Sequence, residues 1–148
     1  MADRRLDDFR VGDVYVSSLG RTVLDADNVW FSALTHNANQ MHFNAEYAAG
    51  TEFGRPLVNS LFTLALVHGL SVEDTSKYAV ANLGWKDVTL PNPVFAGDTL
   101  HAETEVLAVR ESASRPGQGI VTVRTRGKNQ RGEVVIEFER SFLIARER

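Results

Sequence analysis

The sequence predicts an α+β domain in which an antiparallel sheet wraps one long apolar helix. Three observations carry that expectation. The stretch Leu57–Leu70 is apolar on nearly every face, as a buried helix must be. After residue 78 the hydrophobic period changes from helical to two, the period of strands with one face in a core. The run Asn129-Gln130-Arg131-Gly132-Glu133 then supplies a hairpin turn between two such strands. Helices gathered ahead of a block of strands suit an α+β layout.

Each element has a local cause. Val14–Val23 is short and β-branched, the material of a first strand. Asp25 or Asp27 can cap the segment Asn28–Leu34, whose Trp30, Ala33 and Leu34 share one helical face. A short helix fits Ala45–Ala49, with Asn44 as its cap and Gly50 as its stop. In the long helix Pro56 lies near the start and Gly69 near the end. Among the strands, Leu100, Ala102, Thr104, Val106 and Ala108 alternate with His101, Glu103, Glu105 and Leu107. Val134, Ile136, Phe138, Phe142 and Ile144 share a face of the last strand. Pro91 and Pro93 interrupt the pattern between Ala79–Leu90 and Gly97-Asp98. The sheet has an edge to protect, and pairing with a second copy is one solution, so a homodimer is expected.

Composition narrows the function. A chain of 148 residues is read as one domain over residues 1–148, large enough to bury a core without staples. It contains no cysteine, which excludes disulfides, thiolate metal sites and a cysteine nucleophile. A net charge of -3 argues against a nucleic-acid partner. The amino terminus, Met1 to Asp8, has no apolar core, and Leu61–Leu70 is too short and polar to span a bilayer. A cytoplasmic protein is expected. There is no glycine-rich phosphate loop, and His36 and His42 lack a carboxylate at zinc-ligand spacing. No metal and no nucleotide cofactor is implied.

The run Thr35-His36-Asn37-Ala38-Asn39-Gln40-Met41-His42-Phe43-Asn44 is the densest cluster of hydrogen-bonding side chains. Burying such groups unpaired costs roughly 1–3 kcal/mol each, so they need partners or a ligand. The cluster includes His42, a side chain able to exchange protons near neutral pH.

Taken with Phe53-Gly54-Arg55-Pro56-Leu57-Val58-Asn59-Ser60, this run resembles the hydratase motif of the MaoC-like dehydratases. Those are hotdog-fold enzymes that add water to, or remove it from, thioesters of coenzyme A. Their motif reads Asp, any residue, Asn, Pro, an aliphatic residue and His, then Pro-Ile-aliphatic-His-Gly leading into a helix. The corresponding residues here are Asn37, Ala38, Asn39, Gln40, Met41 and His42, then Pro56, Leu57, Val58, Asn59 and Ser60. The resemblance extends through Gly97-Asp98-Thr99-Leu100 and Arg110 to Pro116, nearly the whole chain. Leu57 to Leu66, with Ala81-Asn82-Leu83-Gly84-Trp85, is most similar to the mesaconyl-CoA hydratase and β-methylmalyl-CoA dehydratase branch.

The resemblance implies a hotdog fold and a hydro-lyase acting on an enoyl-CoA, with a short branched dicarboxylic acyl group. Coenzyme A is then part of the substrate, and no separate cofactor is required. His42 takes the acid–base role, and Ser60 offers its backbone N–H to the thioester oxygen. Asn39, Asn59, His68 and Arg115 take substrate contacts, with Arg115 the first choice for a coenzyme A phosphate ahead of Arg55 and Arg110. Asn37 departs from the pattern, because an amide orients water but exchanges no proton near pH 7. That departure keeps a non-catalytic acyl-CoA-binding dimer as one alternative. A thioesterase is the other, with Glu46 and Glu52 as the nearby acids.

Overall fold

The computed structural model describes residues 3–147. Its centre is three long antiparallel strands, β4 (Thr99–Glu111), β5 (Gln118–Lys128) and β6 (Val134–Ala145). The expected hairpin joins the last two. Asn129 Oδ1 accepts the N–H groups of Arg131 (3.0 Å) and Glu133 (3.1 Å), and Gly132 takes the positive φ of 78° that the turn requires. Strand β3 (Ala79–Thr89) pairs with β6, and the short strands β1 (Val14–Val16) and β2 (Arg21–Thr22) pair with β4. The path across the sheet is β1-β4-β5-β6-β3.

Two strand expectations are corrected. Val14–Val23 is two short strands, because the Ser17 backbone and hydroxyl both bond Ala102 and the chain then bends over His101. Gly20 permits that bend, since a Cβ there would lie 2.2 Å from the His101 ring. In β4 the alternation holds through Val106, then a bulge between Val106 and Ala108 resets the phase. Ala108 faces solvent, and Val109 packs against the core in its place.

Helix α1 spans Asp25–Leu34, α2 spans Ala45–Ala49 and α3 spans Ser60–Thr75. The α2 expectation holds, with Asn44 Oδ1 accepting the Tyr47 N–H. The long helix is displaced from the expected Leu57–Leu70. Asn59 is its cap, accepting the Leu61 N–H at 3.0 Å, so Leu57 and Val58 stay extended and bond toward the Phe95 and Val94 segment. At its other end α3 continues through Ser71 and Thr75, because Thr63, Val67, Ser71 and Thr75 form one buried ridge at a spacing of four.

That ridge lies on the inner face of the sheet, giving the hotdog arrangement. Val67 packs with Leu100, Ala102, Ile136 and Phe138, while Leu6 and Phe9 close a second cluster over Val106, Val121 and Phe142. Gly127 allows the close approach. A Cβ at that position would stand 2.6 Å from Val67 Cγ2 and 2.7 Å from Ile136 Cγ2.

Three surfaces remain exposed. The outer face of the sheet carries cross-strand rows of alternating charge, Glu105–Arg124–Glu139–Lys86 and Glu103–Arg126–Glu137. The edge strand β3 exposes Val80, Leu83, Trp85 and Val88. Helix α1 inverts the usual order. A shared apolar face is ordinarily buried, yet Trp30 and Leu34 are 73% and 75% exposed while Asn28 and Ser32 are buried. Among the described residues, no helix is long and apolar enough to cross a membrane.

The contact at Gly127 generates a prediction. Gly127→Ala should lower the unfolding free energy by about 1–3 kcal/mol, the cost of overpacking a tight core. Denaturant titration checks it, and an unchanged midpoint would show that α3 can lift from the sheet without cost.

Candidate active site

The polar run between α1 and α2 is a relay of asparagine caps. Asn37 Oδ1 accepts the Asn39 N–H at 3.0 Å, and Asn39 Oδ1 accepts the Met41 N–H at 3.1 Å. Each closes a small turn with its own side chain, as short amides do well. His36 preceding them takes a φ of 55°. The relay delivers His42 into one tight helical turn, Gln40–His42, with its ring largely buried.

The ring is then held by a second strand of chain. His42 Nδ1 lies 2.7 Å from the Leu57 carbonyl oxygen. A carbonyl only accepts, so Nδ1 carries the hydrogen and the neutral ring keeps its lone pair on Nε2. The same oxygen accepts Asn28 Nδ2 at 3.0 Å. Asn28 Oδ1 accepts the Asn59 N–H at 2.9 Å, and Asn59 Nδ2 donates to Ser32 Oγ at 3.3 Å. One buried polar network therefore ties α1, the approach to α3 and His42 together.

His42 lines a cavity of about 470 Å³ with Asp25, Val29, Phe43, Arg55 and Pro56. Asn37 lines an adjoining cavity of about 450 Å³, and Val29 and Phe43 border both. Ser60 lines a third, of about 300 Å³, together with Leu57. His42 and Asn37 thus border adjoining hollows and Ser60 lines a separate one, with no hydrogen bond among the three in the described residues. Ser60 N–H has no protein acceptor there, because Asn59 caps the next residue.

The remaining candidates separate. Asn39 is exposed, with its side-chain oxygen committed to the turn. Asn59 is 1% exposed and both ends of its amide are engaged inside the protein, with Ser32 Oγ and the Leu61 N–H. His68 lies farther along α3. It sits two turns beyond Ser60, about 12 Å along the helix, and its Nδ1 accepts Trp85 Nε1–H at 3.3 Å. Burial, with the Arg140 guanidinium nearby, pushes its pKa down to about 4. Arg115 lies in the β4–β5 turn, the length of a thirteen-residue strand from Thr99, or about 40 Å. It lines none of the cavities that hold His42, Asn37 or Ser60.

Asn28 and Ser32 were not singled out from sequence. Their signal is a polar pair four apart on α1, opposite Trp30 and Leu34. Asp25 borders the His42 cavity, a placement that its position at the start of α1 does not reveal. A further polar group is fully internal. Arg140, buried on β6, donates to the hydroxyls of Ser76 (2.8 Å), Thr75 (3.1 Å) and Ser71 (3.4 Å), and burial holds its pKa down to about 10.

Comparison with known proteins decides the family. The model of the MaoC like domain matches residues 8–129. This chain belongs to the MaoC-like family. It is 36% identical over 143 residues to the mesaconyl-CoA hydratase of Cereibacter sphaeroides, covering 97% of this chain and 41% of that protein. It is 33% identical over 109 residues to the (R)-specific enoyl-CoA hydratase of Aeromonas caviae, covering 74% of this chain and 77% of the relative. A crystal structure of a MaoC-like dehydratase from Rhodospirillum rubrum superposes with a TM-score of 0.85 at 32% identity, covering 98% of this chain and 99% of the other. The chain spans about two fifths of the length of the mesaconyl-CoA hydratase it matches.

The pKa of His68 generates a pH prediction. Its folded value, about 4, lies below the ordinary histidine value of 6.5, so the unfolded chain binds the proton more readily. This residue therefore contributes stability above about pH 6.5 that is lost as pH falls toward 4. His68→Gln should flatten that part of the decline. Denaturant midpoints of both proteins between pH 7 and 4 measure it, and parallel curves would show that the ring protonates without strain.

Proposed function

We propose that this MaoC-like domain is an enoyl-CoA hydratase and dehydratase acting on a short, branched dicarboxylic acyl thioester. The observation that carries the proposal is the His42–Leu57 bond, which frees Nε2 as a base in a 470 Å³ cavity. The relatives named for mesaconyl-CoA and (R)-specific enoyl-CoA hydration support the reaction class. In hydration, Nε2 takes a proton from water as the water oxygen bonds to the β-carbon. The double-bond electrons move toward the α-carbon and the thioester oxygen, and the imidazolium returns its proton to the α-carbon. Dehydration runs the same steps backward. Ser60 N–H, at the positive end of α3, is the donor offered to the thioester oxygen.

Asn37 enters as a donor. Its oxygen is committed to the Asn39 N–H, while the amide NH2 has no partner among the described residues and is available to the water or hydroxyl oxygen. That same commitment favours one second reading, an acyl-CoA-binding domain without turnover. Glu46 and Glu52, the acids a thioesterase would draw on, lie on exposed segments outside these cavities, and the carboxylate that does border the His42 cavity is Asp25.

His42→Ala should reduce hydration about 10²- to 10⁴-fold, followed as loss of the conjugated thioester absorbance of an enoyl-CoA. Retention of more than about a tenth of the rate would move the base elsewhere. Asn37→Asp should keep activity and shift the pH profile, since a carboxylate near His42 favours its charged form. An inert wild type that gains hydratase activity through Asn37→Asp would establish the binding reading.

We also propose a homodimer, supported by the apolar face of α1 and the exposed apolar residues of the β3 edge. Sedimentation at micromolar concentration should give twice the chain mass. A folded monomer would overturn it.

A further inference from the structure

The cavity that holds His42 is bordered by one arginine, Arg55, which has no ion pair among the described residues. Arg55 follows Gly54, at a φ of 69°, and precedes Pro56, so its backbone is held in a turn. Its guanidinium carbon lies 4.0 Å from the centroid of the Phe95 ring. Phe95 is itself braced by Phe53, with ring centroids 6.2 Å apart, and by the bridge to Leu57. Stacking of this kind leaves the N–H edge of the guanidinium free and already oriented.

Other arginines contrast with it. Arg124, Arg126, Arg131 and Arg146 each meet carboxylates. Among the described residues the guanidinium of Arg55 has no hydrogen bond and no ion pair. Asp25 borders the same cavity, and no ion pair joins it to Arg55. A planar fork of unused donors matches a carboxylate or phosphate oxygen pair.

We infer that Arg55 is a specificity-determining residue, binding the second carboxylate of a dicarboxylic acyl group while His42 works at its double bond. This rests on the reading of the domain as an acyl-CoA hydratase and names what selects its acyl group. Two features favour an acyl carboxylate over a coenzyme A phosphate. A cavity of 470 Å³ suits a short acyl chain with its thioester. Asp25 on its border opposes a diphosphate, which carries more negative charge than a single carboxylate.

The test compares mesaconyl-CoA, crotonyl-CoA and free coenzyme A on the wild type, Arg55→Met and Arg55→Lys, by calorimetric binding and by kcat/KM. Circular dichroism and thermal midpoints confirm that each variant is folded. Wild type should prefer the dicarboxylic thioester, and Arg55→Met should shrink that preference about 10- to 100-fold, the weight of a charge-assisted pair. Arg55→Lys should recover part of it, with affinity for free coenzyme A held within about twofold. A wild type without preference, or a preference that survives Arg55→Met, overturns the inference. Equal losses for both thioesters and free coenzyme A overturn it in favour of a phosphate contact. Crotonyl-CoA turnover without dicarboxylate preference sinks this inference and leaves the hydratase standing. Mesaconyl-CoA binding that depends on Arg55, with no turnover, upholds the carboxylate contact and overturns the hydratase reading.

Discussion

One carbonyl oxygen organises the candidate site. Leu57 O receives both His42 Nδ1 and Asn28 Nδ2, so three segments distant in sequence meet at a single acceptor. The residue is extended because Asn59 delays the start of α3, and Asn59 is held by Asn28 and Ser32 from α1. A buried network of this kind is stable only when every member is satisfied, since a stranded amide costs about 1–3 kcal/mol. The tautomer of the histidine is thus a consequence of how the central helix is capped.

The network also explains the orientation of α1. Its polar face is turned inward because the groups it must satisfy lie there, and its apolar residues are left outside as a result. An isolated chain with Trp30 and Leu34 in water exposes apolar area that a neighbouring surface would remove. The charged rows on the outer sheet face mark the opposite preference, for continued hydration.

Much of the fold was legible in the residues, and the failures have physical causes. The hairpin at Asn129–Glu133, the α2 cap and the strand–helix order follow from local chemistry that tertiary contacts leave unchanged. The bounds of α3 do not. Pro56 looks like a first turn until the Leu57–Phe95 bridge claims that segment, and Ser71 and Thr75 look like a polar end until Arg140 arrives from β6. The phase of β4 is set by a bulge that alternation alone does not reveal. In the site, the asparagine spacing pointed to His42, while the roles of Asn28, Asp25 and Arg55 depend on which distant segments share a hollow.

Arg140 has an electrical consequence at the other end of its helix. Its guanidinium sits among hydroxyls of the last turns of α3, the pole where the aligned peptide dipoles leave excess negative charge. A cation fixed there answers that pole internally, with no carboxylate involved. Among the described residues the opposite pole, at Ser60, is met by the neutral Asn59 cap alone and by no charge, and the helix faces its hollow as half of a dipole whose other half is already spoken for.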